Sequence, residues 1–309
     1  MRPSIPYYLC FVLCYLHFAH PLQAETVVEK PGVSIELLEP GNAPRREVRF
    51  TPQVGDKQTA EMIIKMEQVM SMNGNKMPSQ NVPAQRMVMQ VEVTDVATNG
   101  DISFDYTYTD VGVVDDPNNP SPIAETIRTM LKPMIGATGR GIMSNCGVMK
   151  KGEFDIPEGL APSIKQMLGG MQDSMNKLSS PVPTEPVGVG AKWQVLQELE
   201  VNGMKLTQTS THEIESIDDN GFQMSVEISQ QADPQEVKNP MLPAGTSLQL
   251  DSLKSSGEGS SKVLESSLFP VSSKVAIETT VDMSIVVADQ KQKIQTEMKM
   301  EMELSPVAE

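Results

Sequence analysis

Met298-Lys299-Met300-Glu301-Met302-Glu303-Leu304 alternates apolar and charged residues without a break. Successive side chains on a strand point to opposite faces, so this stretch lays down one dry face and one charged face. A helix would scatter the same residues around its axis. The arm reaches back to Lys291, and a second arm, Lys274–Val287, precedes it across a short connection. The C-terminal third therefore ends in a large antiparallel hairpin whose dry face needs a cover.

Upstream, Arg86-Met87-Val88-Met89-Gln90-Val91-Glu92-Val93 and Ile102-Ser103-Phe104-Asp105-Tyr106-Thr107-Tyr108 flank Asn99-Gly100. Asn-Gly between alternating runs predicts a hairpin with a tight turn of type I′, with positive φ at both central residues. The same grammar returns later. Ile214 and Ile217 precede Asn220-Gly221 at the intervals at which Val93 and Val96 precede Asn99-Gly100. The lead-in Gln53-Val54-Gly55-Asp56-Lys57 resembles Val187-Gly188-Val189-Gly190-Ala191-Lys192-Trp193. Beyond the turns the alternation slips by one residue, which calls for a bulge in one copy. This is a weak internal duplication, two β-meanders at 47–115 and 185–305. Asp233–Pro243 and Ser255–Ser261 read as Pro- or Ser/Gly-rich connections, and Gly139-Arg140-Gly141 and Gly257-Glu258-Gly259 as turns rather than phosphate cradles.

Between the meanders, at 121–180, lie two helical segments separated by a short hairpin at Gly141–Phe154. Ser121–Ile135 puts Ile123, Ile127, Met130, Leu131 and Met134 on one face, and Pro133 ends or bends it. Ala161–Ser179 carries a stripe of Ile164, Met167, Leu168, Met171, Met175 and Leu178, weakened in the middle by Gly169-Gly170. The expected fold is α+β and mostly antiparallel β: a long curved sheet or incomplete barrel from two meanders, with the two amphipathic helices covering its apolar face.

The chain opens with Arg2, an apolar run from Ile5 to Ala19, and the small-residue exit Leu22-Gln23-Ala24. That order is a secretory signal peptide cut between Ala24 and Glu25. The run is shorter than the roughly 20 residues of a membrane-spanning helix, which disfavours an uncleaved anchor. No later stretch approaches membrane length, so the mature chain is expected to lack a transmembrane segment and to be extracytoplasmic, periplasmic or secreted. Residues 25–46 read as a flexible tether with one short strand at Val33–Leu38. Order is expected from near Val48, with 47–309 forming a single β-rich domain.

A net charge of −15 argues against nucleic acid, whose phosphates require a basic face. Cys10 and Cys14 leave with the leader, as do His17 and His20. Cys146 then stands alone and cannot form an intramolecular disulfide; it reads as a buried thiol, an intermolecular cross-link or a nucleophile. His212 lacks both a histidine partner for zinc and a Gly-x-Ser-x-Gly serine, and reads as a surface or edge-strand residue before a general base. Asp115-Asp116 and Asp218-Asp219 fit turns better than calcium loops. No cofactor, metal or catalytic motif emerges. The 22 methionines admit three readings: flexible core filler, an adaptable apolar ligand surface, or copper(I) thioether ligation.

The leader, the Val-Gly-x-Lys lead-in at Val54–Lys57, the Val-Thr-Asp-Val-x-x-Asn-Gly hairpin at Val93–Gly100, the central insert and Pro186–Trp193 together resemble an uncharacterised family of exported bacterial proteins. The resemblance spans about Val48 to Leu304 and implies no activity. In outline the arrangement is also similar to LolA- and LppX-type lipoprotein or lipid carriers, although the anchoring Cys of their lipidated members is missing. That likeness implies a non-enzymatic protein holding a hydrophobic or lipidic ligand between sheet and helices. Its apolar lining would be Ile127, Met130, Leu131, Met134, Ile164, Met167, Leu168, Met171 and Met175. The alternatives are a structural or envelope protein–protein interaction module with a dry core, and a hydrolase using unrecognised carboxylates.

Overall fold

The computed structural model describes residues 33–78, 81–118, 120–155, 181–201, 203–237, 246–287 and 290–307. Among the described residues fourteen strands form one sheet, antiparallel at every pairing: β1 (Val33–Glu39), β2 (Lys57–Met72), β3 (Asn75–Lys76), β4 (Ala84–Val96), β5 (Ile102–Val114), β6 (Thr138–Met143), β7 (Met149–Asp155), β8 (Lys192–Val201), β9 (Met204–Ile217), β10 (Gly221–Ala232), β11 (Gln235–Glu236), β12 (Thr246–Leu264), β13 (Ser272–Val287) and β14 (Gln290–Pro306). The order is β1-β8-β9-β10-β12-β13-β14-β2-β4-β5-β6-β7, with β3 beside β2 and β11 beside β12. The sheet is open, with β1 and β7 at its edges. Each of the two runs, β2 to β7 and β8 to β14, meanders between sequence neighbours, and β14 joins them by pairing with β2 from Ile294↔Met72 to Pro306↔Ala60.

The two copies of the hairpin grammar share backbone hydrogen bonds. Gly55 N–H donates to Val93 O and Val93 N–H to Asp56 O; Gly190 N–H donates to Ile214 O and Ile214 N–H to Ala191 O. The bulges also correspond. Thr94 is the extra residue between Val93↔Phe104 and Asp95↔Ser103, and Glu215 is the extra residue between Ser216↔Gln223 and Ile214↔Met224. Each stands at the same interval before its Asn-Gly. The one-residue slip therefore lies in the loops: Val96 pairs Ile102, whereas Ile217 pairs Phe222.

The turns differ from the expected type I′. At the first, only Gly100 has positive φ (84°), and Gly100 N–H donates to Ala97 O while Ala97 N–H donates to Asp101 O. That is the longer hairpin loop in which glycine closes the turn from the left-handed region. At the second, Asp218 Oδ1 accepts from Asn220 and Gly221 N–H, and neither central residue has positive φ. Gly221 is needed there for close approach, since a Cβ would lie 2.1 Å from Val263 O.

Burial follows the period of two. One cluster joins Val91, Phe104 and Tyr106 of the first run to Trp193, Ile214, Phe222 and Val263 of the second, so both meanders share a core. Connecting segments close it: Phe50 N–H donates to Asn145 O, Val182 N–H to Cys146 O, and Phe269 meets Phe104 edge-on at 5.8 Å. A smaller cluster, around Leu248, Leu250, Leu253, Ile285, Ile294 and Met70, lies toward the opposite ends of the long strands.

Several expectations require correction. The described residues do not support the two-helix cover: the segment expected as a helix over Ser121–Ile135 forms the short α1 (Ala124–Leu131) and a 3₁₀ turn at Lys132–Met134. Pro133 removes a donor, the chain leaves the helix at Ile135, and α1 packs against β5 instead of lying across the long strands. Ala161–Ser179 lies outside the described residues. Ser255–Ser261 is no connection but the middle of the 19-residue β12, paired on both sides. Gly139 and Gly141 lie in β6, where a Cβ would meet Tyr106 and Phe104 ring atoms at 2.3 Å. The short strand expected at Val33–Leu38 is β1, which pairs with β8; beyond it Arg46 bridges to Val187, and the Arg46 guanidinium stands 2.5 Å from Glu265.

Candidate functional site

Cross-strand partners share a face, so the registers place whole rows of side chains across the sheet. The first row runs Trp193, His212, Val226, Gly259, Val275, Met302, Ile64. The next runs Val195, Ser210, Ile228, Gly257, Ile277, Met300, Met66. Trp193 and Val195 at one end are buried in the larger core. Farther along, Val226, Ile228, Val275, Ile277, Met300, Met302 and Met66 are only half-buried and belong to neither core cluster. They form an apolar band between the two cores. The glycines of β12 shape its floor: a Cβ on Gly257 would stand 2.8 Å from Ile277 Cγ1, and one on Gly259 2.8 Å from Val275 Cγ2. Ile277 and Val275 thus lean over β12 where any larger residue would push them off.

The third row is polar: Gln197, Gln208, Gln230, Ser255, Thr279, Met298, Gln68. Gln230 Nε2 donates to Gln208 Oε1 at 2.7 Å, and Gln208 Nε2 donates to Gln197 Oε1 and Ser210 Oγ, both at 3.3 Å. The Ser255 and Thr279 hydroxyls are 2.5 Å apart. This rail separates the band from the smaller core, whose first row is Ala232, Leu253, Val281, Thr296 and Met70. Across these three rows no side chain carries a formal charge at neutral pH. The opposite face of the same strands holds Glu227, Lys254, Glu258, Lys274, Glu278, Glu297, Lys299 and Glu301.

His212 is 4% exposed and stacks on Trp193 at 5.1 Å with an interplanar angle of 10°. Burial pushes its pKa down to about 4, because a buried imidazolium loses its hydration without gaining a partner. Its Nδ1 has no hydrogen-bond partner among the described residues. The residue expected at a surface or edge thus sits in a central strand, neutral at physiological pH. Trp193 Nε1–H is satisfied by Pro181 O at 2.8 Å. Cys146 is half-buried with Sγ near Asn145 Oδ1, and among the described residues no group of three His, Cys, Asp or Glu side chains converges to hold a metal ion.

Of the side chains expected to line a ligand site, Ile127, Leu131 and Met134 are packed into the larger core and Met130 is half-buried on α1. Ile164, Met167, Leu168, Met171 and Met175 lie outside the described residues. The band was legible in part through the Met298–Leu304 alternation. The glutamine rail was missed, since its members come from strands far apart in sequence and only register aligns them. Two shallow depressions, about 480 and 500 Å³, lie apart from the band. The first is lined largely from the charged face by residues such as Lys254, Glu278, Glu297 and Lys299 and also touches Gln230, Ser255, Thr279 and Met298 of the polar row, and the second is at the far strand ends around Asp251, Asp282 and Lys293.

No family model matches the chain, and no curated protein matches it. Among solved structures, an outer membrane protein of Vibrio cholerae, OmpT with loop L8 deleted, is similar at a TM-score of 0.20 and 6% identity, covering 81% of this chain and 100% of that one. The Salmonella typhi OmpF complex with daunomycin follows at a TM-score of 0.17 and 6% identity, covering 80% and 98%. Likeness at this level assigns neither fold nor function. No helix among the described residues is long and apolar enough to cross a membrane.

Proposed function

We propose that this is an exported, non-enzymatic protein that holds a hydrophobic or lipidic ligand on the uncharged face of its long strands. One observation carries the reading: Val226, Ile228, Val275, Ile277, Met300, Met302 and Met66 form a contiguous half-buried band that joins neither core. Contiguous exposed apolar surface is costly in water and marks binding sites. Each ligand methylene covered there gains about 0.8 kcal/mol. Methionines unbranched at Cβ let the surface adapt to ligands of differing shape. The leader, expected to be cleaved after Ala24, would deliver the protein outside the cytoplasm, where free lipid must be shielded.

The test is a native mass spectrum of the mature protein beside its denatured mass, with uptake of N-phenyl-1-naphthylamine by delipidated protein. Bound extra mass or saturable uptake supports the proposal, and Ile277→Asp or Met300→Asp should abolish uptake with the fold intact. Delipidated protein that takes up no probe sinks it. A second reading, an envelope interaction module, is favoured by β1, an edge strand with Leu38 47% and Ile35 36% exposed. The outer backbone edge of β1 can pair with a strand of another protein. Stoichiometric capture of a partner, lost with Ile35→Lys and unaffected by Met300→Asp, would establish it.

A further inference from the structure

We infer that the ligand is an amphiphile with an uncharged, hydroxyl- or amide-bearing head group, its chain on the Ile277–Met300 band and its head on the Gln230 rail. This rests on the ligand-holding reading above and specifies the ligand class.

The rail is an ordered hydrogen-bonding edge with valences left over. A glutamine amide offers two donors and one carbonyl oxygen. Gln208 spends both donors, on Gln197 and Ser210, and its oxygen accepts from Gln230. Gln230 spends one donor, and among the described residues its Oε1 accepts from none. The amide is half-buried and held at one end by Gln208, and Ile228 of the band lies two residues along the same face of β10. Next to it the Ser255 and Thr279 hydroxyls continue the row. A wholly hydrocarbon ligand would leave this edge unused or strip its water without replacement, which costs free energy.

The charge pattern selects the head group. No lysine, arginine, aspartate or glutamate stands in the three rows, and His212, at the edge of the band, is held neutral. A carboxylate, phosphate or ammonium head resting there would be partly desolvated without a counter-charge. The net charge of −15 adds a field that repels anionic ligands. Hydroxyl and amide groups both donate and accept, matching a row that itself does both.

Three amphiphiles with similar chains decide the matter: monooleoylglycerol, oleate and oleyltrimethylammonium. Each is titrated below its micelle concentration against N-phenyl-1-naphthylamine bound to the full mature protein. The neutral head should displace the probe at about tenfold lower concentration than either charged one, the discrimination one unpaired polar group commands. Gln230→Met should reduce that preference to within about twofold while probe binding persists. Gln230→Glu, a near-isosteric change at a half-buried position, should shift preference toward the ammonium. Equal or tighter binding of oleate, or an unchanged neutral preference in Gln230→Met, overturns the inference while probe binding upholds the broader proposal. Failure of the wild-type protein to bind any probe overturns both.

Discussion

His212 should make the protein acid-sensitive in a window set by its burial. The imidazole is 4% exposed, its pKa is pushed down to about 4, and the cause is desolvation. The groups facing it are Trp193 on β8, Val226 on β10, and Ser210 and Ile214 on its own strand, with no carboxylate among them. In the unfolded chain the same residue titrates near 6.5. Between those values the unfolded state binds the proton that the folded state refuses, so the contribution is fully present above about 6.5 and is lost as pH falls toward about 4. At about 1.4 kcal/mol per unit, the loss is about 2 kcal/mol at pH 5 and about 3 kcal/mol at pH 4. The assay is urea unfolding at pH 7.5, 6.0, 5.0 and 4.5 for wild type and for His212→Phe, which retains the stack on Trp193. Acid acts on more than one group, so the readout is the difference between the two proteins. That difference should move in favour of the variant by about 2 kcal/mol between pH 7.5 and 5. Parallel pH profiles would refute the reasoning, and His212→Met repeats the comparison if the larger ring does not fit.

Other perturbations test the band and the sheet beneath it. Gly257→Val would drive a side chain into Ala276 O and Ile277 Cγ1, both within 2.8 Å of the new Cβ. It should cost about 1–3 kcal/mol in urea unfolding and weaken probe uptake, because Ile277 is displaced. The two Asn-Gly turns should respond differently to asparagine, which tolerates positive φ. Gly100→Asn should be mild after Asn145 moves aside, whereas Gly221→Asn should destabilise strongly through the 2.1 Å contact with Val263 O. Thermal unfolding of the two variants checks this, and equal effects would contradict it. Met300→Asp should remove probe uptake with at most about 1 kcal/mol of stability lost, since Met300 is only half-buried, as the unfolding midpoint will report.

Strand alternation, both Asn-Gly hairpins and the C-terminal hairpin were legible because a period of two and the chemistry of a turn are local. Lys274–Val287 and Lys291–Leu304 fall within β13 and β14. The duplicated lead-in was visible too, and the shared bonds Gly55 to Val93 and Gly190 to Ile214 give it a structural basis. The errors came where local rules met distant neighbours. Ser255–Ser261 has the composition of a loop, yet β10 and β13 on either side satisfy its backbone, and its glycines admit Val275 and Ile277. Ile127, Leu131 and Met134 form an apolar helical stripe, but nothing local shows whether a stripe faces a ligand or a core.

The sequence by itself therefore determined a β-rich chain with one charged face and one uncharged face, since alternation fixes which side each residue takes. Only the tertiary structure decided which uncharged residues are packed away and which stay half-open. It also aligned Gln197, Gln208 and Gln230 into a rail. Both depend on register between strands, and register is set by pairing across the sheet.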